Sequence, residues 1–152
     1  MRMSRLPLDE LASQIAMLCQ ECAFSGRLLY SSLAKPMEAL RSGRAPRSLD
    51  LLALLEESEA SAEALRESHG ELKSLAPQFE AYAHELRDAE LLAQVPAFEQ
   101  ECRFWESFLE RSRILRNKLK LIAELERLSP LGRAPIQDAW DEMQMLAEPK
   151  PT

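Results

Sequence analysis

Three cysteines, two histidines and a large stock of carboxylates are the side chains of this sequence that could do chemistry. Cys19 and Cys22 form a C-x-x-C pair, and Cys102 is the third thiol. A redox dithiol of this spacing follows a strand, and a structural zinc site takes four ligands. No strand pattern precedes Cys19 and no second pair exists. Cys22 also falls on an apolar helical stripe, so these thiols read as small buried hydrophobes. His69 lies on an apolar stripe of its own and reads as a satisfied, partly buried imidazole. A carboxylate-bridged dimetal bundle needs Glu-x-x-His on two helices with two further carboxylates. Glu80 to His84 has the wrong spacing and there is no second motif, so neither a metal nor another cofactor is expected.

His84 admits one further test. Histidine phosphotransfer domains are four-helix bundles with one reactive histidine in a His-x-Leu-Lys-Gly context followed by a small residue. The segment here resembles that pattern at His84 and Leu86, with Arg87 in place of lysine. Asp88 then stands where a small residue would let a receiver domain approach, and a carboxylate beside a phosphohistidine is electrostatically unfavourable. The basic run Arg111, Arg113, Arg116, Lys118 and Lys120 spreads around its helix, with Glu106, Glu110 and Glu124 at pairing distance along it. It reads as a solvated face. No catalytic motif emerges, and the chain is expected not to be an enzyme.

The elements that carry these residues are helical. Phe98, Cys102, Trp105, Leu109, Ser112, Leu115, Leu119 and Ile122 follow at steps of three or four, which keeps them on one face of an α-helix running from Pro96 to Leu128. At 1.5 Å per residue that helix is about 50 Å long, and its stripe must be covered by other helices. An earlier helix begins near Pro7, with Asp9 and Glu10 favouring its positive end. Leu8, Leu11, Ile15, Leu18, Cys22, Ser25, Leu29 and Ser32 form its stripe, widened by Leu28 and Leu33. Gly26 interrupts it at about 1 kcal/mol relative to alanine, and Pro36 is expected to kink or restart it.

Ser42 to Arg47 reads as a loop and Ser48 as the cap of a second long helix. That helix carries Leu51, Leu52, Leu54, Leu55, Ala62, Leu65, His69, Leu72, Leu75, Phe79, Tyr82 and Leu86, with glutamates on its other side. Gly70 and Pro77 predict a kink or break near Ala76, and the pattern stops between Asp88 and Val95. After Leu128 a second breaker cluster echoes the first, GRAP at Gly132 to Pro135 matching Gly43 to Pro46, which is thin ground for a repeat. Ile136, Trp140, Met143 and Leu146 then line a short amphipathic helix. The expected fold is all-α: an antiparallel up-down-up bundle of long coiled-coil-like helices over residues 1–128, with a short C-terminal amphipathic helix and tail over 129–152.

Composition agrees. Four glycines, a single valine and an abundance of leucine, alanine, glutamate and arginine disfavour sheets. Hydrophobic residues at 46% and charged residues at 29% suit a soluble globular chain of 152 residues with a real core. A net charge of −6 opposes general nucleic-acid binding. An odd number of cysteines, no apolar leader and no apolar run near the ~20 residues of a membrane span point to a cytoplasmic protein.

Within that frame the chain resembles the FlgN class of flagellar and type III export chaperones. The points of similarity are the first helix ending in LAKPMEALRSG, the second with LDLLALLEESEASAEAL and the third with LERSRILRNKLKLI. The resemblance implies a small, acidic, cytoplasmic, all-helical protein with a mobile C-terminal segment. Such a chaperone shields the amphipathic terminal helix of an exported or hook-associated subunit from premature assembly, through an apolar groove. Ile136, Trp140, Met143, Met145 and Leu146 are the expected partner-binding residues, since methionines and a tryptophan give an adaptable apolar surface. The bland reading of the same residues is that they pack on the bundle. A structural coiled-coil subunit, monomeric or homodimeric, and the His84 phosphotransfer domain are the alternatives.

Overall fold

The computed structural model describes residues 6–41, 48–128 and 133–149, so the loop expected at 42–47 lies outside the described residues, as does most of the second breaker cluster. Among these described residues four helices follow in order: α1, Leu8–Arg41; α2, Ser48–Leu86; α3, Ala89–Leu128; and α4, Arg133–Met145. The fold is all-α, as the 3.6-residue periodicity predicts, and among the described residues there is no strand. Cross-helix contacts set the relative directions. The Tyr82 hydroxyl of α2 donates to the Leu6 carbonyl just ahead of α1 at 2.5 Å, and Ser68 reaches Glu21 at 3.4 Å. The Phe79 and Phe98 rings meet edge to face at 4.9 Å, and Arg116 reaches Glu59 at 2.5 Å. Along each pair the numbers rise in one helix as they fall in the next.

The sequence stripes become the core. Leu11, Ile15, Leu18, Cys22, Leu29 and Leu33 of α1 are buried against Leu51, Leu55, Leu65, Leu72 and Phe79 of α2 and against Trp105, Leu115, Leu119 and Ile122 of α3. Three buried serines are satisfied within their own helices: Ser32, Ser58 and Ser112 each donate to the carbonyl three residues back, at 2.7 to 2.8 Å. Two stripe expectations fail: Leu28 and Leu86 are largely exposed. Phe104, off the stripe, lies at the margin of the aromatic core at 38% exposure.

The prolines break nothing. Pro36, Pro77 and Pro96 all lie inside helices, so there is no break near Ala76, and α3 begins seven residues before Pro96. A helical proline removes one backbone hydrogen bond and crowds the preceding turn. Each of these helices has 34 to 40 residues, and its apolar phase continues across the proline. Met37 and Leu40 follow Pro36 into the core, Phe79 and Ala83 follow Pro77, and Phe98 packs against it after Pro96. Tertiary burial thus overrides the local penalty.

Of the stretch from Asp88 to Val95 expected to lack pattern, Ala89 to Val95 is the start of α3, and the helices are joined by a two-residue corner, Arg87 and Asp88. Arg87 takes a left-handed conformation with φ of 51°, its N–H bonds the His84 carbonyl, and the Asp88 N–H bonds the Ala83 carbonyl. That double closure satisfies the last carbonyls of α2. Asp88 then caps α3 at once, its carboxylate accepting from the N–H groups of Glu90 at 2.9 Å and Leu91 at 3.3 Å.

Candidate functional site: the seat of the short C-terminal helix

Helix α4 follows directly from its pattern of apolar residues at steps of three and four, Ile136, Ala139, Trp140, Met143 and Leu146, which gives a 13-residue helix one apolar side. That side lies against α1 and α3. Ala139, Met143 and Leu146 are buried in the core, and Ile136 and Trp140 pack half-buried on it. Of the five residues expected to take a partner, Met145 alone faces solvent, 58% exposed. The chain beyond the helix stays in contact too, since Pro149 is buried.

Charge aims this helix as much as apolar burial does. The Arg41 guanidinium, at the end of α1, stacks 4.2 Å from the centroid of the Trp140 ring. Lys118 of α3 bonds both Glu142 at 2.9 Å and Asp138 at 3.0 Å, acids one turn apart on α4. These bonds raise the Lys118 pKa, Glu142 first and Asp138 second. Further along, Glu148 lies close enough to Tyr30 to add to the upward shift that burial gives its phenol.

The basic run expected to be a solvated face is therefore divided. Arg116 is buried, with its guanidinium on Glu59 of α2 at 2.5 Å and on the Ser112 carbonyl. Desolvation lowers its pKa and Glu59 opposes the shift. Lys118 holds α4. Arg113 pairs with Glu110 on its own helix, the exposed arrangement that spacing predicts. Sequence phase carried a signal for Arg116, which stands four residues after Ser112 and seven after Leu109, both on the stripe.

The remaining chemical candidates are brought together only in part. Cys19, Cys22 and Cys102 share one neighbourhood between α1 and α3, near Glu101. Burial, then Glu101 and Cys102, push the Cys19 thiol up to about 11. Burial, then Cys19, push Cys22 up to about 12. All three are free thiols, and raised pKa values make them poor nucleophiles and poor metal ligands at neutral pH. Among the described residues no group of three or more His, Cys, Asp or Glu side chains forms a metal-binding set.

His69 is buried, with Nε2 3.0 Å from the Cys102 carbonyl oxygen, a satisfied core imidazole. It borders an open groove of about 690 Å³ between α2 and α3, where Arg66, Arg103 and Arg113 alternate with Glu106 and Glu110. Each of those arginines pairs with a glutamate on its own helix, which leaves the groove no strong charge. His84 is exposed in the last turn of α2, 3.7 Å from Glu80, and the nearby Asp88 carboxylate is engaged as a cap.

No family model, curated protein or solved structure matches the chain. Among the described residues no helix is long and apolar enough to cross a membrane.

Proposed function

We propose that this chain is a helix-binding protein of the export-chaperone kind, holding the amphipathic terminal helix of an exported or flagellar subunit in the cytoplasm. The observation that supports the reading is the seat of α4. The cleft between α1 and α3 already accommodates an amphipathic helix, with an apolar floor and a lysine at its edge for paired acids. In this reading α4 and its cleft form one exchangeable pair. Release of α4 bares Ile136, Trp140, Met143 and Leu146 on one side and the cleft on the other, and a client helix engages one of them. The acidic balance of the chain suits solubility and disfavours nucleic acid.

Isothermal titration of an amphipathic terminal-helix peptide from an exported subunit tests this. Binding is expected to the full chain, and several-fold tighter binding to Lys118→Glu, in which repulsion from Asp138 and Glu142 loosens α4. No binding to either protein, or equal binding of a scrambled peptide, overturns the reading. A structural coiled-coil subunit is the second reading, favoured by the apolar line on the outer face of α1 described next. Phosphotransfer through His84 draws no support from its position in the final turn of α2 beside Glu80.

A further inference from the structure

The outer face of α1 carries a line of side chains that the bundle leaves uncovered. Glu10, Met17, Phe24, Leu28 and Lys35 follow at steps of seven, seven, four and seven, so they stay within about 40° of one another around the helix. All five are exposed, and the three apolar members strongly so: Met17 52%, Phe24 58% and Leu28 47%. They lie on the flank of α1 next to α2, where Met17, Phe24 and Ser68 border a shallow groove of about 300 Å³. Neither Glu10 nor Lys35 makes an ion pair among the described residues. A face with an acid at one end, three large apolar groups in the middle and a base at the other is not the usual solvated helix surface.

The order of these residues is the informative part. Let a second α1 run antiparallel across the first, with the twofold axis between Cys22 and Ala23. Glu10 then faces Lys35 of the copy, and Met17 faces Leu28. The two Phe24 rings stand three residues apart across the axis, an axial offset of about 4.5 Å, within ring-packing distance. The Glu10–Lys35 and Met17–Leu28 pairs each occur twice, and the Phe24 pair once, on the axis. Glu21, the acid nearest the axis, is turned toward α2, where it accepts a hydrogen bond from Ser68. On α2, Ser68 borders the line, and Ala64 and Ser61 precede it on the same helical face at steps of four and three, small residues that let a second bundle approach there.

We propose that this face binds a second copy of the chain, making an isologous dimer through antiparallel α1–α1 contact over about 38 Å of helix. The argument for a copy rather than another protein is self-complementarity. Charge and apolar positions match their own reverse order in one register, a match that a foreign helix has no reason to share. The proposal is independent of α4 and its cleft, which lie on another side of α1.

Sedimentation velocity of the full chain across a range of concentrations tests it. The expected result is a reversible dimer of about twice the 17.3 kDa chain mass. Phe24→Asp is expected to give monomer at all concentrations with unchanged helical circular dichroism, since the side chain is exposed. Glu10→Lys or Lys35→Glu alone should weaken the dimer by about three- to tenfold, two exposed ion pairs being lost at once. The double exchange Glu10→Lys with Lys35→Glu should restore wild-type affinity. A wild type that remains monomeric, a dimer indifferent to Phe24→Asp, or single exchanges that the double exchange fails to rescue each overturn the proposal.

Discussion

Among the described residues, four helices meet at one end of the bundle, near Arg41, Leu51 and Ile122, and three at the other, near Leu11, Phe79 and Phe98. The two ends close their cores differently. The four-helix end is built of Leu40, Leu51, Leu55, Leu119 and Ile122, with α4 adding Ala139, Met143 and Leu146. Its specificity comes from charge: Lys118 on two acids of α4, Arg41 on Trp140 and Arg116 on Glu59. The three-helix end has no fourth wall and fills its volume with rings. Phe79 meets Phe98, and Trp105 sits edge-on to Phe104 at 4.8 Å and Phe108 at 5.5 Å. The Trp105 N–H is satisfied by Glu101 at 3.0 Å.

Gly26 marks the junction. A methyl group built on it would overlap the Trp105 ring, so the glycine exists to admit the indole. Three helices enclose a core by bringing α1 close to a large flat side chain. Four enclose it with leucine, and charged contacts choose the orientation of the last helix.

This contrast can be broken, and the largest effect is expected at Trp105. Trp105→Ala should cost about 3–5 kcal/mol in urea unfolding, because the ring is buried between α1 and α3 with no fourth helix to collapse into the space. A loss under about 1 kcal/mol would mean that the three-helix end repacks freely. Gly26→Ala comes next. Helix propensity alone favours alanine by about 1 kcal/mol, yet the overlap with Trp105 should make the change destabilising by about 1–3 kcal/mol. In the Trp105→Ala background the same change should turn stabilising, and a thermodynamic cycle of the four proteins measures the sign.

At the other end, Glu59→Ala leaves the Arg116 charge buried without its carboxylate. Because Glu59 itself is 54% exposed, the expected loss by chemical denaturation is about 1–2 kcal/mol rather than that of a fully buried pair. Arg116→Met together with Glu59→Ala should recover most of it. The smallest effect is absent at neutral pH. The Cys19 and Cys22 thiols have folded-state pKa values raised to about 11 and about 12 from an ordinary 9.0. The unfolded chain therefore releases these protons first as pH rises. Stability is level below about pH 8, falls between about 9 and 12, and falls less in Cys→Ala variants. Thermal melts across that range read the slope, and an equal slope without the thiols would assign it to other groups.

Much of this architecture was legible because burial has a period. Leu28 aside, the stripes of α1 and α3 predict residues that are buried or half-buried, with Ser112 and Ser32 included on phase alone. Proline misled the reading because its cost is local, whereas the contacts that offset it come from two other helices and cannot be seen in a window around Pro77. Asp88 is obscure in sequence for the opposite reason. Its role as a cap depends on one backbone corner, whereas the sequence shows only a charge near His84. The residues of α4 were legible as an apolar face, but a face does not name what covers it. Ala139, small and silent in composition, proves the most deeply placed residue on it. Arg116 is set apart from Arg113 by its phase on the stripe, but its partner Glu59 is not visible in sequence, and only Asp138 and Glu142 on another helix distinguish Lys118.

The corner at Arg87 and Asp88 also has a consequence for how the chain assembles in time. It ties together helices of 39 and 40 residues, so their contacts form a ladder of growing loop size. Phe79 meets Phe98 only a short way from the corner, His69 reaches Cys102 across 33 residues, and Glu59 reaches Arg116 across 57. Each rung shortens the search for the next, because a closed inner loop leaves few free residues for the outer one. A hairpin that zips from its corner is the low-contact-order route open to this chain. In that order α2 and α3 form the template, and α1 and α4 are the strips laid onto it.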